Sequence, residues 1–288
     1  MRRYLCALVL ALTCCSFSAT VVAAPLWIER KFIPQPELID PRYKILSETQ
    51  SSAVDHSLWD DFLGAYVMPG ADGINRVNYA AVDSGGLALL QRYIAAQEAI
   101  DTSTLSADQK LAYWINLYNA ATVRLILQNY PIASIRKIKV DGKGPWDHPV
   151  VTVQAKPLTL GEIEHHIVRA LFPDPRIHYA LNCASIGCPN LAQRAYTAAT
   201  LEDMLEAGAV AYVNHPRGAK VRGTRVDVSK IYGWYREDFG DDASAVLAHI
   251  KAYSRGALAE DLANVTRIGR YSYDWDLNEA VEAAGPAR

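Results

Sequence analysis

The chain has 288 residues, about half of them hydrophobic, with 14 Pro and 17 Gly, which fits one large globular domain or two small ones. A formal net charge of −2 gives no global reason to expect nucleic acid as a partner. Beyond the N-terminus, no segment is apolar for long enough to make a transmembrane helix.

Arg2 and Arg3 precede an apolar run from Leu5 to Leu12, a polar patch from Thr13 to Ser18, and then TVVAAP, the charge, core and small-residue pattern of a secretory leader. Val21 and Ala23 place the expected cut after Ala23, and the run is shorter than the roughly 20 residues that span a bilayer. Residues 1–23 are therefore expected to be a signal peptide, with the mature protein exported to the periplasm or beyond. A lipid anchor through Cys14 or Cys15 lacks a suitable context, since Leu12 and Thr13 precede them. Losing Arg2 and Arg3 with the leader takes the net charge from −2 to −4, and three of the five cysteines leave with it.

Residues 24–51 are punctuated by Pro and read as an extended lead-in. Trp59, Phe62, Leu63 and Tyr66 recur at helical spacing and mark a first helix. VNYAAV at 77–82 leans toward a strand, and Gly85 and Gly86 open a helix with Leu87, Leu90, Tyr93 and Ile94 inside. Ser106 with Gln109 forms a capping box for a helix running to about Asn129 and stopped by Pro131. That helix is apolar on so much of its circumference that it must be central, yet it carries Asn116 and Asn119 one turn apart. Residues 134–140 and 150–154 read as strands. Thr159 with Glu162 caps the next helix, LTLGEIEHHIVRALF, on whose wheel His166 lies at the margin of the apolar stripe and His165 on the far side.

RIHYALNCASIGCP, residues 176–189, reads as a strand running into a sharp loop. A helix from about Thr200 to Val213, a small hairpin at 220–228, helical turns in KIYGWYREDFG, a helix from Asp242 to Tyr253 and an aromatic strap, IGRYSYDWDLN, follow. Helices and short strands interleave irregularly, so the expectation is an α+β fold: one domain over 52–280, its helices packed around a small mixed or antiparallel sheet, with 281–288 as a flexible tail.

The candidate chemistry centres on Cys183 and Cys188. Four readings stand: a small disulfide, buried free thiols, a Cys183 nucleophile, and a metal site. Zinc is the weakest, because only two sulfur ligands exist and no second Cys or His pair has ligand spacing. For a nucleophile the expected base is His165, on the helix that leads into the cysteine stretch, with Glu164 or Asn116 orienting it. Asn119, Tyr118, His178 and Ser185 are expected around the pocket. His178 is discounted as the base, since a strand would hold it on the opposite face from Cys183, roughly 16 Å away at full extension. The plainer reading of Asn116 and Asn119 is that they bind neighbouring loop backbone.

Four strings together, YWINLYNAAT at 113–122, LTLGEIEHHIVR at 158–169, HYALNCASIGCP at 178–189 and KIYGWYREDFG at 230–240, resemble the family known as domain of unknown function five-four-seven, with a family core at about 106–240. The closing YDWDLN at 273–278 resembles its bacterial secreted branch. The resemblance implies no established activity; it implies a fold near papain- and transglutaminase-like hydrolases, although the motif order here differs from theirs. Two functional expectations follow. One is an exported cysteine-dependent hydrolase or acyltransferase on envelope peptide or amide bonds, needing no cofactor. The other is a non-catalytic binding or scaffold module for a peptide, glycan or envelope protein.

Overall fold

In a computed structural model the described residues are 25–44 and 53–280; the leader and the C-terminal tail lie outside them. The long helix α4 (Ala107–Asn129) is the axis of the fold. Its capping box forms as expected, with the Ser106 side chain accepting from the Gln109 N–H while the Gln109 side chain accepts from the Ser106 N–H. It is buried almost all round from Gln109 to Ile126, which places it inside a jacket of other elements rather than on a surface. On one flank α2 (Ser57–Tyr66) packs on α3 (Ser84–Glu98), and α3 packs on α4. α3 begins where the Asp83 side chain accepts the Gly86 N–H.

Strands β1 (Val67–Pro69) and β2 (Asn75–Val77) form a short antiparallel pair. The chain then turns through a 3₁₀ segment, Tyr79–Ala81, so the strand expected over 77–82 ends at its first residue. β3 (Pro149–Val153) and β4 (Lys156–Thr159) make a second hairpin, whose two-residue turn holds both Gln154 and Ala155 at positive φ, 49° and 61°. That conformation matches the twist of the flanking strands. The strand expected over 134–140 is instead a 3₁₀ turn, Ile135–Lys137, begun by Ser134 accepting the Arg136 N–H.

Thr159 ends β4 and caps α5 (Leu160–Ile163), again in a capping box. The helix then widens into a π turn, Glu164–Val168, and resumes as α6 (Arg169–Leu171). After α7 (Leu201–Asn214), β5 (Ala219–Arg222) and β6 (Arg225–Ser229) pair antiparallel around Gly223, and β7 (Arg267–Ser272) returns parallel to β6. The crossover carries α8 (Ile231–Trp234), α9 (Ala243–Tyr253) and α10 (Gly256–Leu262). The largest sheet is thus small and mixed, and the fold is α+β in one domain.

Two buried clusters hold the fold together: one surrounds α4, and the other fills the space between α7, the mixed sheet and α9. The strap after β7 runs back to the first cluster. Its Leu277 N–H donates to Ala133 O, its Asn278 N–H donates to Ala184 O, and its Asn278 O accepts the Val77 N–H. At the N-terminus α1 (Leu26–Arg30) packs on α8, and Tyr43 is fully buried with its hydroxyl on Val153 O. Much of the lead-in is therefore docked. No helix among the described residues is long and apolar enough to cross a membrane.

Candidate functional site

The cysteine segment is not a strand. Asp174 accepts the Arg176 N–H and Pro175 occupies the first position, so Pro175–Tyr179 closes as a 3₁₀ turn. Residues 177–182 are all buried, so they lack the solvated face that alternation in a half-buried strand reports. His178 is therefore not carried away from Cys183 by strand geometry; both line the same cleft.

Beneath the loop lies a set of buried amides. Asn119 donates from Nδ2 to Ala180 O (2.9 Å) and accepts the Asn182 N–H (2.8 Å). Asn182 donates to Pro189 O (2.7 Å) and accepts the Ala184 N–H (2.9 Å). That last bond fixes Ala184 at φ 56° directly after Cys183, a left-handed conformation that costs a side-chain-bearing residue about 1 kcal/mol. Asn116 clasps the Tyr196 backbone with both amide atoms, at 2.7 and 3.0 Å. It stands off the cleft and orients no base. Gly187 lets the strap close on the loop, since a Cβ there would lie 2.7 Å from both the N and O of Asp274.

The cleft opens where the two core clusters meet, with a volume of about 810 Å³. Trp146, Trp234, Tyr235, Tyr273 and Trp275 supply aromatic wall, and Phe32, Ile33 and Pro34 close one side. Glu29 fastens that N-terminal side by accepting from Trp234 Nε1 (2.7 Å) and Lys230 Nζ (2.6 Å).

Glu164 is buried at the cleft with one oxygen accepting from Tyr118 Oη (2.9 Å) and the other from Tyr235 Oη (2.7 Å). Burial opposes its charge, but His165, the Tyr235 phenol, His178 and the Tyr118 phenol together outweigh it and hold the carboxyl below its ordinary range. Burial pushes both phenols far up, aided by the adjacent carboxylate, so they remain donors. The π turn explains how Glu164 and His165 are both buried: an extra residue per turn rotates the wheel that put His165 on the far side.

His165 is a poor base in this setting. Burial brings its pKa down to about 4, with Arg169 adding to the effect against the pull of Glu164. Its Nδ1 sits 3.4 Å from Arg169 Nη1. His178 differs: its Nε2 meets Asp238 Oδ2 at 2.7 Å, and its ring stacks on Tyr235 at 4.1 Å. Asp238 is clamped in turn by Arg169 Nε (2.6 Å) and Nη2 (3.0 Å). Burial raises the Asp238 pKa, but His178 and Arg169 bring it to about 2. Asp238, Arg169, Tyr235 and Tyr273 are the site residues that sequence reasoning missed as a group. All four lie in the strings LTLGEIEHHIVR, KIYGWYREDFG and YDWDLN, but helical turns in KIYGWYREDFG give no sign that its Asp238 partners a histidine.

Cys183 and Cys188 are free thiols, not a bonded pair. Cys183 is half-buried and Cys188 buried. The Cys183 N–H donates to Cys188 Sγ at 2.9 Å, and both sulfurs lie 3.1 Å from Tyr273 Oη. Ser185 Oγ is 3.4 Å from Cys183 Sγ and 3.0 Å from the same phenol. The hydrogen bond with Cys188, together with burial, pushes Cys183 well above the ordinary thiol range. For Cys188 burial acts upward, but hydrogen bonds from Cys183 and Tyr273 prevail and bring it to about 7. Among the described residues no cluster of three or more His, Cys, Asp or Glu is set to hold a metal.

No curated protein and no solved structure matches the chain. A family model described as "Protein of unknown function, DUF547" matches residues 102–213. The match takes in α4, the π turn and the cysteine loop, while Trp234, Tyr235, Asp238 and Tyr273 lie beyond it. With three of the four familiar strings inside it, the segment from residue 102 to residue 213 belongs to the DUF547 family.

Proposed function

We propose that the protein is an exported cysteine-dependent hydrolase or acyltransferase acting on peptide or amide bonds of the cell envelope, with Cys183 as nucleophile. The carrying observation is that Cys183, His178 with Asp238 behind it, and Glu164 line one open cleft. The Cys183 proton passes to His178, and the sulfur attacks the substrate carbonyl. The departing amine takes that proton back, and the thioester left on Cys183 is released by water or by an acceptor amine. Asp238 fixes the His178 ring through Nε2 and stabilises the imidazolium as it forms, which favours His178 over His165 as the base. Glu164 adds a second negative charge close by. The leader pattern of residues 1–23 supports export.

A binding module is the second reading. It is favoured by two observations: the hydrogen bond with Cys188 and burial push the Cys183 thiol well above its ordinary range, and among the described residues neither cysteine sulfur is hydrogen-bonded to a histidine. Alkylation of the reduced native protein by iodoacetamide near neutral pH separates the two. The enzyme reading expects selective labelling of Cys183, slowed about tenfold or more by His178→Ala as the thiolate loses its partner. Unlabelled Cys183, or a rate indifferent to His178→Ala, favours the binding module.

A further inference from the structure

Cys183 and Cys188 share one environment, and its details do not suit a permanent cross-link. Cys188 Sγ accepts a backbone N–H and a phenol, 2.9 and 3.1 Å away, which are bonds that solvate a thiolate and so stabilise the reduced pair. A bond between residues five apart closes only a short loop, so the unfolded chain gains little constraint from it. That loop already holds Ala184 in a left-handed conformation. Both cysteines line the cleft, but Cys183 is half-exposed there while Cys188 is buried, so Cys183 is the more accessible entry sulfur and Cys188 the resolving one.

We propose that Cys183 and Cys188 form a reversible two-electron redox couple, a modification site at which low-molecular-weight disulfides enter through the cleft. The Cys183 thiolate attacks one sulfur of the disulfide RSSR, forming a mixed disulfide and releasing RS⁻, which takes up the proton that left Cys183. Cys188 then attacks Cys183 Sγ, its own proton leaving with the second RS⁻. The protein loses two electrons and two protons, and one RSSR becomes two RSH. Tyr273 Oη, in contact with both sulfurs, serves each in turn as the donor to the thiolate. The couple does not rest on acyl transfer, although closing it would remove the nucleophile proposed above.

The test equilibrates the intact protein in glutathione buffers of increasing oxidised-to-reduced ratio, blocks remaining thiols with N-ethylmaleimide, and weighs the tryptic peptide 177–194, which carries both cysteines and no others. The expected result is a peptide that loses two hydrogens and escapes blocking as the ratio rises, and regains both thiols when the ratio is reversed. Cys188→Ala is expected to accumulate a glutathione adduct on Cys183, which Cys183→Ala does not form on Cys188. A peptide that stays doubly blocked in oxidised glutathione overturns the proposal. So does a bond that excess reduced glutathione cannot reopen, or an adduct that forms equally in both variants. The readout is the thiol state alone, so a failure of acyl transfer leaves it unaffected.

Discussion

Two buried polar systems lie on opposite sides of the cysteine loop and are built differently. Below it, Asn119 and Asn182 are neutral and spend their amide atoms on the backbone of residues 180–189. Beside it, Glu164, His165, His178, Asp238 and Arg169 are ionisable and bonded mainly to other side chains at an open cleft. The first system fixes a shape, and its worth lies in leaving no donor or acceptor unpaired. The second sets charge beside an open cleft, at a desolvation cost that its ion pairs and hydrogen bonds offset. Buried polarity alone does not distinguish them; the partner does.

Removing a member of the neutral system is the largest test of that contrast. Asn182→Ala strands the Pro189 carbonyl and the Ala184 N–H, and is expected to lower the unfolding free energy by about 3 to 4 kcal/mol, read by urea denaturation. A loss within about 1 kcal/mol would mean that water replaces the amide and that the loop needs no such frame.

The ionisable system should be visible in the pH dependence of stability, next in size. His165 and His56 are buried and have pKa values brought from 6.5 to about 4 by burial. Below pH about 6.5 the unfolded chain binds protons that these two folded residues refuse until about pH 4, so stability is full above that window and falls through it as pH drops. Each site contributes up to about 3 kcal/mol over the window. Denaturant midpoints measured across it should fall steadily in the parent protein, and less steeply in His165→Gln. An unchanged slope in that variant would show that the cleft admits water to the ring.

The smallest effect concerns the cleft's removable wall. α1 has no buried residue and is held largely through Glu29 on Trp234 and Lys230 and through Arg30 on Glu237. Glu29→Ala is expected to cost about 1 kcal/mol of local stability, seen as faster hydrogen exchange in residues 25–34 with the rest of the molecule unchanged. Equal acceleration throughout would mean that the wall and the core open together.

Local chemistry was legible where it is self-contained. Both capping boxes, the β5–β6 hairpin and the central standing of α4 follow from neighbours in the chain and stand as expected. The failures are of another kind. The apparent alternation over 177–182 signals a strand only if one face is solvated, and here both are covered. The π turn adds a residue that no fixed 3.6-residue wheel contains, so a regular wheel puts His165 on the wrong side. The same strand geometry would part His178 from Cys183, and its partner Asp238 lies 60 residues away in sequence, a separation that no local pattern reports.

The strap after β7 also bears on when the site comes into being. Its backbone hydrogen bonds reach residues 77, 133, 184, 186 and 187, and Tyr273 brings the oxygen that both sulfurs touch. Pairings of such long sequence separation come late in folding, because loop closure must precede them. On the ribosome they must await the emergence of residues 274–280. A chain still being made, or one cut short before Tyr273, carries Cys183 and Cys188 without the frame that holds them together.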